Sequence, residues 1–212
     1  DLSIRLEHEV ADITAQQVAN GFKLDVPVAT QWQTEMSDRI DEIASELQER
    51  FPPIVTIRVS EKTGKRLKDS VEQFNVGSRQ QIAKRLSKLG VKWKKKTPSG
   101  APMVDESTLA EVDLPEAKLC AEYLGLVKLK GMVDSWLKYV DPETHRIHGY
   151  VNSCGAVTGR MTHNKPNLAQ IPSLKIAREC FTVEDGNVLV GCDASGLELR
   201  CLAHYMNDDN YT

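Results

Sequence analysis

Residues 188–204 read VLVGCDASGLELRCLAH. The apolar and β-branched residues at the start of this stretch predict a strand over residues 187–192, and the residues from Asp193 to Glu198 predict the start of a helix. A strand that ends in an aspartate and leads into a helix presents a carboxylate on a rigid edge. Magnesium prefers a few carboxylates together with waters and phosphate oxygens. The stretch therefore indicates a metal-binding aspartate at the end of a strand.

A simpler interpretation of the same residues concerns only the helix. Ser195 and Glu198 have the S-x-x-E spacing of a capping box, in which the two side chains close the N-terminus of a helix. Asp193 would then do no more than help to begin that helix. On spacing alone this interpretation is favoured over a metal site, and the motif by itself is weak.

The sequence around this stretch predicts helices first and strands later. Apolar residues at helical spacing predict helices that end at Asn20-Gly21, run from Asp25 to Pro52, run from Ser78 to Gly90, and run from about Leu114 to Tyr139. The stripe from Val28 to Leu47 predicts packing surface in an antiparallel helical arm. Short β-branched runs predict strands at residues 54–59, 146–151 and 181–183, and residues 61–64 predict a turn. The order gives an α+β fold with a boundary near Arg146.

Composition excludes several classes of protein. The 212 residues are 41% hydrophobic and 27% charged, which is typical of a globular protein with one large or two small domains. No apolar run is long enough to span a membrane, and the first residues do not resemble a signal peptide. The five cysteines show no paired spacing, which favours a reducing, cytoplasmic compartment without disulfides. His145, His148 and Cys154 lack a second close pair of ligands, so no zinc site is expected.

Charge is distributed unevenly along the chain. Residues 1–53 carry 4 basic and 11 acidic groups, whereas residues 54–100 carry 13 basic and 3 acidic groups, a net charge of +10. The basic block includes a loop with Trp93 among the lysines Lys94, Lys95 and Lys96. A solvated face is the simplest explanation of a charge run, but a block this one-sided in an acidic chain favours contact with a polyanion such as nucleic acid.

Four segments, in order, resemble motifs of the family A (polymerase I-like) DNA polymerases, especially the replicative enzymes of T-odd bacteriophages. FNVGSRQQI (74–82) is similar to the thumb motif of that family, and GAPMVDESTL (100–109) to the segment after it. GAVTGRMTHNKPNLAQIPS (155–173) resembles the Thr-Gly-Arg and Pro-Asn-Leu segment, and residues 188–204 resemble motif A. The resemblance implies a helical thumb over residues 1–146, followed by the first strands of an antiparallel-sheet palm over residues 147–212.

The resemblance also implies roles at the nucleotide. Asp193 matches the motif A aspartate that binds both Mg²⁺ ions, with the backbone carbonyl of Ala194 as a further metal ligand. Glu198 matches the glutamate that excludes a ribose 2′-hydroxyl, which points to deoxynucleoside triphosphates as substrates. Ser195, Gly196 and Leu197 accompany it in nucleotide binding.

Contacts with primer–template DNA are implied at a second set of positions. Arg160 matches the arginine that reaches the minor groove at the primer end, where purine N3 and pyrimidine O2 acceptors are common to all four pairs. Asn167 and Gln170 match polar side chains beside the template or primer backbone. Lys128 matches a thumb lysine on the duplex backbone, and Lys94, Lys95 and Lys96 belong to the same basic surface.

The implied activity is template-directed DNA synthesis by two-metal-ion nucleotidyl transfer. The chain is expected to be an incomplete portion that lacks the fingers and motif C, which supplies the second catalytic aspartate, so it should be inactive alone. The alternative is a non-catalytic duplex-DNA-binding module derived from a polymerase thumb. Only a short stretch separates Pro53 from Ser78, so a thioredoxin-type processivity factor is not expected as a partner. A replicative and a repair role both stay open.

Overall fold

Helices and short strands alternate along the chain, of which the computed structural model describes residues 1–60 and 62–206. The helices are α1 (Leu2–Asn20), α2 (Val26–Arg50), α3 (Arg79–Lys88), α4 (Glu106–Ala110), α5 (Pro115–Tyr139), α6 (Lys175–Glu179) and α7 (Leu197–Met206), with a short 3-10 helix at Leu168–Gln170. The strands are β1 (Phe22–Leu24), β2 (Ile54–Thr56), β3 (Ser70–Glu72), β4 (Arg146–Ile147), β5 (Tyr150–Asn152), β6 (Thr162–Asn164) and β7 (Phe181–Thr182). The predicted α+β fold class is confirmed.

The chain divides into two compact units, Asp1–Phe181 and Thr182–Thr212. The predicted boundary between a thumb and a palm at residues 146 and 147 stays a prediction. Within the described residues, no helix combines the length and the apolarity that a membrane crossing needs.

The long helix α2 begins and ends where the sequence predicts. The side chain of Asp25 caps its N-terminus by accepting a hydrogen bond from the backbone N–H of Val28 at 3.1 Å, and Pro27 lies in the first turn. Its buried face consists of Ala29, Trp32, Met36, Ile43 and Leu47, which confirms most of the predicted stripe. Burying such a stripe is the main source of stability for a helix of this kind.

The antiparallel partner of α2 is α5. Polar contacts join their exposed edges, because Arg39 pairs with Glu122 at 2.7 Å and Arg50 pairs with Glu116 at 3.0 Å. Both pairs are solvent-exposed, so they add little stability and mainly fix the register of the two helices. The fully buried positions of α5 are Ala117, Cys120, Val133 and Trp136.

Two hydrophobic clusters flank this helix pair. One cluster joins the C-terminal half of α2 to α3, α4 and the start of α5, and includes Leu47, Phe51, Phe74, Ile82, Leu86 and Leu109. The other joins the start of α2 to the end of α5, where the ring of Trp136 lies 6.4 Å from Trp32 and 5.1 Å from Phe181 between centroids. The Trp136–Phe181 pair packs edge-on, an arrangement that stabilises a core beyond the area it buries.

Residues 146–151 were predicted as strand, and the structure confirms strand at both ends of the segment but divides it into β4 and β5. β4 pairs antiparallel with β1, with Phe22 opposite Ile147, whereas β5 pairs antiparallel with β6, with Val151 opposite His163. The strand is interrupted at Gly149, where an added Cβ would lie 3.0 Å from the carbonyl oxygen of Pro166. The chain therefore changes partners at this glycine, and β7 completes the first sheet in the order β4-β1-β7.

The strand predicted for residues 187–192 is also absent from the structure. This segment has irregular backbone, and Val188 and Val190 are 80% and 81% exposed. Strand backbone needs a neighbouring strand to pair its N–H and C=O groups, and none of the described strands pairs with this segment. β-Branched composition alone therefore did not produce a strand.

Two further local predictions have different outcomes. The strand predicted for residues 54–59 is shorter, because β2 covers Ile54–Thr56 and pairs with β3, with Val55 opposite Val71. Lys62 and Thr63 form the predicted turn, and Glu61 lies outside the described residues. The helix predicted after Asp193 is confirmed as α7, which begins at Leu197.

Candidate active site and nucleic-acid interface

The motif A segment exposes both of its predicted functional carboxylates. Asp193 lies in irregular backbone and Glu198 in the first turn of α7, and both residues are exposed. Gly196, at the turn between them, has a φ of 61°, a conformation that side chains other than glycine strain to adopt. The turn therefore requires a glycine between the aspartate and the glutamate.

The helix start bears on the capping-box interpretation. Since α7 begins at Leu197, Ser195 lies one residue before the cap position and Glu198 is the second helical residue. A capping box places the glutamate at the third helical position. A carboxylate in the first turn is still favoured by the helix dipole, so Glu198 suits this end of the helix whichever role it serves.

The metal-binding capacity of the described residues is limited. The carboxylate of Asp193 and the carbonyl of Ala194 are hard oxygen donors of the type that Mg²⁺ prefers. No group of three or more His, Cys, Asp or Glu side chains suited to a metal ion occurs within residues 1–60 and 62–206. These two donors fit a part of a magnesium site, and further ligands have to come from elsewhere.

The buried cysteines do not add metal ligands. Burial raises the pKa of the Cys120 thiol to about 12 and that of the Cys180 thiol to about 11. The thiolate is the form that binds metals, so these two side chains stay neutral core residues. All five cysteines are free thiols.

Arg160 lies in the connection between β5 and β6. The backbone N–H of Ala156 donates to the carbonyl of Arg160 at 3.0 Å, and the N–H of Gly159 donates to the carbonyl of Ala156 at 2.9 Å. Gly159 has a φ of 77°, and a Cβ added at Gly155 would lie 1.9 Å from Oγ1 of Thr162. The tight loop that carries the exposed Arg160 therefore requires glycine at positions 155 and 159.

Asn167 and Gln170 follow β6 on and beside the short 3-10 helix. The side-chain oxygen of Asn167 accepts a hydrogen bond from the backbone N–H of Ala169 at 3.1 Å, which caps this helix. The oxygen is thus engaged, and the amide nitrogen is the donor that a nucleic-acid contact would use. Gln170 is exposed at the end of the same short helix.

The basic loop of residues 92–100 is held in place by neighbouring contacts. The indole N–H of Trp93 donates to Oγ of Ser87 at 2.9 Å, and Lys96 forms an isolated antiparallel bridge with Pro102. Lys94, Lys95 and Lys96 are all exposed, and among the described residues only Lys95 of the three forms an ion pair, with Glu111 at 3.6 Å. Lys128 is exposed on α5 and forms no ion pair with a described residue.

A cleft of about 600 Å³ lies between α3 and residues 97–105, beside this loop. Its polar lining includes Arg79, Lys84, Thr97, Ser99 and Asp105. Hydrogen bonds from the backbone N–H of Thr108 and from the hydroxyl of Ser107 hold the pKa of Asp105 at about 2. No sequence pattern predicts this cleft, because it forms between two segments whose proximity no local pattern encodes.

Comparisons with known proteins identify relatives over most of the chain. The model of the family described as DNA polymerase family A matches residues 43–212. The DNA-directed DNA polymerases of Escherichia phage T7 and Enterobacteria phage T3 are each 33% identical over 277 aligned residues, which cover 96% of this chain and 39% of those proteins. DNA polymerase I of Pseudomonas aeruginosa is 35% identical over 148 residues, or 65% of this chain and 16% of that protein.

A solved structure shows the same fold. The POL domain of Pol1 from M. smegmatis, in complex with DNA primer-template and dNTP, superposes with a TM-score of 0.72 at 24% identity. The match covers 92% of this chain and 33% of that one. The chain thus spans about two fifths of the length of the phage relatives. With a family model that matches four fifths of its residues, the chain belongs to DNA polymerase family A.

Proposed function

We propose that this chain supplies part of the active site and part of the duplex-binding surface of a DNA-directed DNA polymerase. The observation that carries the proposal is the family match over residues 43–212, which includes an exposed Asp193 shortly before α7. The similarity to the DNA-directed DNA polymerases of the two phages supports the same activity. Template-dependent incorporation of deoxynucleotides by the complete gene product is the activity that the proposal requires.

The reaction is an in-line attack of the primer 3′-hydroxyl on the α-phosphate of a deoxynucleoside triphosphate, with release of pyrophosphate. Positioning of the two reactants and neutralisation of the phosphate charge account for most of the acceleration in such a transfer. The carboxylate of Asp193 and the carbonyl of Ala194 would hold Mg²⁺, with a second aspartate from outside the described residues. When bound, two Mg²⁺ ions supply activation of the hydroxyl and stabilisation of the triphosphate charge.

Selection of the sugar is assigned to Glu198. In this proposal its side chain occupies the space that a ribose 2′-hydroxyl would need, while Ser195, Gly196 and Leu197 line the approach of the nucleotide. A hydroxyl forced against a carboxylate either clashes or displaces a hydrogen-bond partner, and both outcomes cost free energy. The position of Glu198 in the first turn of an exposed helix supports this role, because the backbone there is regular.

Grip on the duplex is assigned to Arg160 and to the basic residues of the first compact unit. Arg160 would read the minor groove at the primer end, where its acceptors do not distinguish the four correct pairs. Asn167, Gln170 and Lys128 would contact the sugar-phosphate backbone. Such contacts fix the register of a duplex and carry no sequence information, which suits a copying enzyme.

We expect Arg160→Ala in the complete gene product to slow primer extension by roughly tenfold. A hydrogen bond to a charged group is worth about 1.5–3 kcal/mol, and the exposure of Arg160 places the loss at the lower end of that range. Extension rates should be measured with each of the four matched terminal pairs. A defect confined to one terminal pair would contradict a role in checking pair geometry.

The duplex surface can be tested on the 212-residue chain alone. Affinity for a labelled primer–template duplex should fall with salt at a log–log slope of about −0.9 for each phosphate neutralised, or near −4 for roughly four lysines. Replacing Lys94, Lys95 and Lys96 with alanine should remove two to three of these phosphate contacts. The magnitude of the slope should therefore fall by about 2–3.

The matched control for this titration is Lys118→Ala, Lys138→Ala and Lys175→Ala together, which removes the same charge from exposed lysines elsewhere. The control should keep the wild-type slope. Equal slopes for the two triple variants, or no binding at low salt, would show that the loop of residues 92–100 is only a solvated face.

We also propose that this protein works without a thioredoxin-type processivity factor bound to the segment between α2 and α3. The alignment with the phage T7 and T3 polymerases extends over 277 residues, which is longer than this chain, so those proteins contain residues with no counterpart here. Residues 51–78 separate α2 from α3, and the described part of this stretch contains the hairpin β2–β3. This short connection supports the absence of a large docking segment.

A further inference from the structure

Residues 144–178 contain no aspartate or glutamate and are named the carboxylate-free segment here. The segment carries five arginines and lysines, at positions 146, 160, 165, 175 and 178. It includes β5, β6 and the short 3-10 helix, and therefore the side chains of Arg160, Asn167 and Gln170. A run of charges of one sign around residues assigned to a duplex favours contact with phosphates.

Some of these cations already have partners within the chain. Nε of Arg146 donates to the backbone carbonyl of the last residue of α1 at 2.7 Å, so this side chain caps the end of a helix. Lys175 pairs with Glu179 at 3.3 Å along α6. Lys165, by contrast, is exposed and forms no ion pair with any residue in the described part of the chain. Its charge is therefore available to a ligand.

The backbone conformation of Lys165 is unusual. Its φ is 57°, in the left-handed region that most side chains avoid. Apart from glycines, the other described residue with a positive φ is His145, and a turn explains that case. The N–H of His145 donates to the carbonyl of Asp141 at 2.9 Å, and its carbonyl accepts from the N–H of Leu24 at 2.8 Å. No comparable turn hydrogen bond among the described residues involves Lys165.

The residues on either side hold Lys165 in this conformation. Asn164 is the last residue of β6 and pairs with Tyr150 of β5. Pro166 is buried, and its carbonyl oxygen would lie 3.0 Å from a Cβ added at Gly149. The backbone is thus fixed at both neighbours, while the lysine side chain itself is exposed. A costly conformation that its surroundings enforce at an exposed residue supports a hypothesis of function.

Lys165 lies along the chain between residues that the proposed function assigns to the duplex. Arg160 precedes β6, and Asn167 follows Pro166. The five residue steps from Arg160 to Lys165 span at most about 17 Å, since an extended chain rises about 3.4 Å per residue. The same distance is the rise of about five base pairs of a duplex. With Arg160 at the primer end, Lys165 reaches phosphates within about five base pairs of that end.

We propose that the ammonium group of Lys165 binds one backbone phosphate of the primer–template duplex, within about five base pairs of the primer end. The inference rests on the proposed duplex surface and adds to it a residue that has no role there. A lysine ammonium is a compact point charge suited to a phosphate, and such a contact carries no sequence information. The fixed backbone at Lys165 orients the group in advance, which lowers the entropic cost of the contact.

The test uses the complete gene product and a labelled primer–template duplex. Lys165→Gln should weaken duplex binding by about fivefold, the size expected for one exposed charge pair. The magnitude of the log–log salt slope should fall by about 0.9, which is one phosphate. The extension rate at saturating duplex should stay close to that of the wild type, because Lys165 does not touch the reacting atoms. Lys165→Arg should restore both the affinity and the slope.

A neutral methylphosphonate, placed at one position of the duplex at a time, locates the phosphate. At the position that Lys165 contacts, the neutral group should weaken wild-type binding about as much as Lys165→Gln does. It should have no further effect on Lys165→Gln, because the two changes remove the same interaction. At other positions the two effects should add. Additive effects at every position within about six base pairs of the primer end would overturn the proposal.

Two further variants separate this contact from a role in the fold. Lys175→Gln is the matched control, an exposed lysine of the same segment that is paired with Glu179, and it should bind duplex as the wild type does. Lys165→Gly should keep or raise the melting temperature, because glycine adopts a positive φ without strain. It should nevertheless bind duplex as weakly as Lys165→Gln. Wild-type affinity in Lys165→Gly would show that the side chain does not contact the duplex.

Other results identify a different ligand or a different failure. If Lys165→Gln raises the KM for the deoxynucleoside triphosphate and leaves duplex affinity unchanged, the lysine faces the nucleotide and the proposal is wrong. If the wild-type protein extends primers and Lys165→Gln matches it in affinity and salt slope, this inference alone is wrong. A wild-type protein that does not extend primers would refute the proposed function on which the inference rests.

Discussion

Replacing Asp193 with asparagine in the complete gene product is expected to lower the rate of nucleotide incorporation by about a thousandfold or more. Asparagine has the same shape but no negative charge, so Mg²⁺ would be held weakly. Metal-ion stabilisation of a phosphoryl transition state is worth several kcal/mol, and about 4 kcal/mol corresponds to roughly a thousandfold in rate. Single-turnover incorporation on a matched primer–template measures the effect.

Duplex affinity should change little in the same variant, because Asp193 lies apart in sequence from every residue assigned to the duplex. The control is Asp185→Asn, an exposed aspartate in the same compact unit, which should keep the wild-type rate. An Asp193→Asn protein that extends primers at a near-normal rate would remove the basis for the motif A assignment.

The second large effect is expected at Glu198. Glu198→Ala should raise the use of ribonucleotides relative to deoxynucleotides by up to about a hundredfold. A clash or an unpaired polar group in the wild-type site costs a 2′-hydroxyl about 1–3 kcal/mol, and alanine removes that cost. The ratio of kcat/KM for the two sugars is the measurement.

Glu198→Gln separates size from charge at this position. Glutamine fills the same volume, so it should keep most of the discrimination if exclusion is steric. If the ratio is unchanged in Glu198→Ala while the melting temperature of the chain falls, the residue serves the N-terminus of α7 and not the sugar. Removal of such a helix-end interaction costs about 1 kcal/mol.

The helices were the most predictable part of the fold, because their signals are local. Asp25 and Pro27 mark the start of α2, and the positive φ of 64° at Gly21 ends α1 where the sequence Asn-Gly predicts. Ser78 likewise caps α3 by accepting from the N–H of Gln81 at 3.4 Å. Each of these contacts lies within a few residues along the chain.

The strands were less predictable, because strand formation depends on a partner. Residues 187–192 have strand-forming composition but no partner strand among the described residues. Residues 146–151 divide into two strands because the first half pairs with β1 and the second half pairs with β6. The short helix α4 was not predicted, although Asp105 caps it through the N–H of Thr108 at 2.7 Å. Its five residues are too few to show a helical period.

The candidate site was predicted from resemblance and not from spacing. On spacing alone Asp193 and Glu198 pointed to a simple helix start, and only the four motifs in order indicated a polymerase. The close approach of Gly155 to Thr162, which holds the loop of Arg160, could not be predicted, because it depends on the geometry of the β5–β6 pair. The same holds for the cleft beside the basic loop.

Template-dependent extension by the complete gene product tests the central claim most directly. The measurement offers a labelled primer on four templates that differ in the next templating base, with Mg²⁺ and one deoxynucleoside triphosphate at a time. We predict that each template directs addition of its complementary nucleotide, with one pyrophosphate released per addition. Tight binding of the duplex without extension on any of the four templates would contradict the proposal and identify a non-catalytic DNA-binding module.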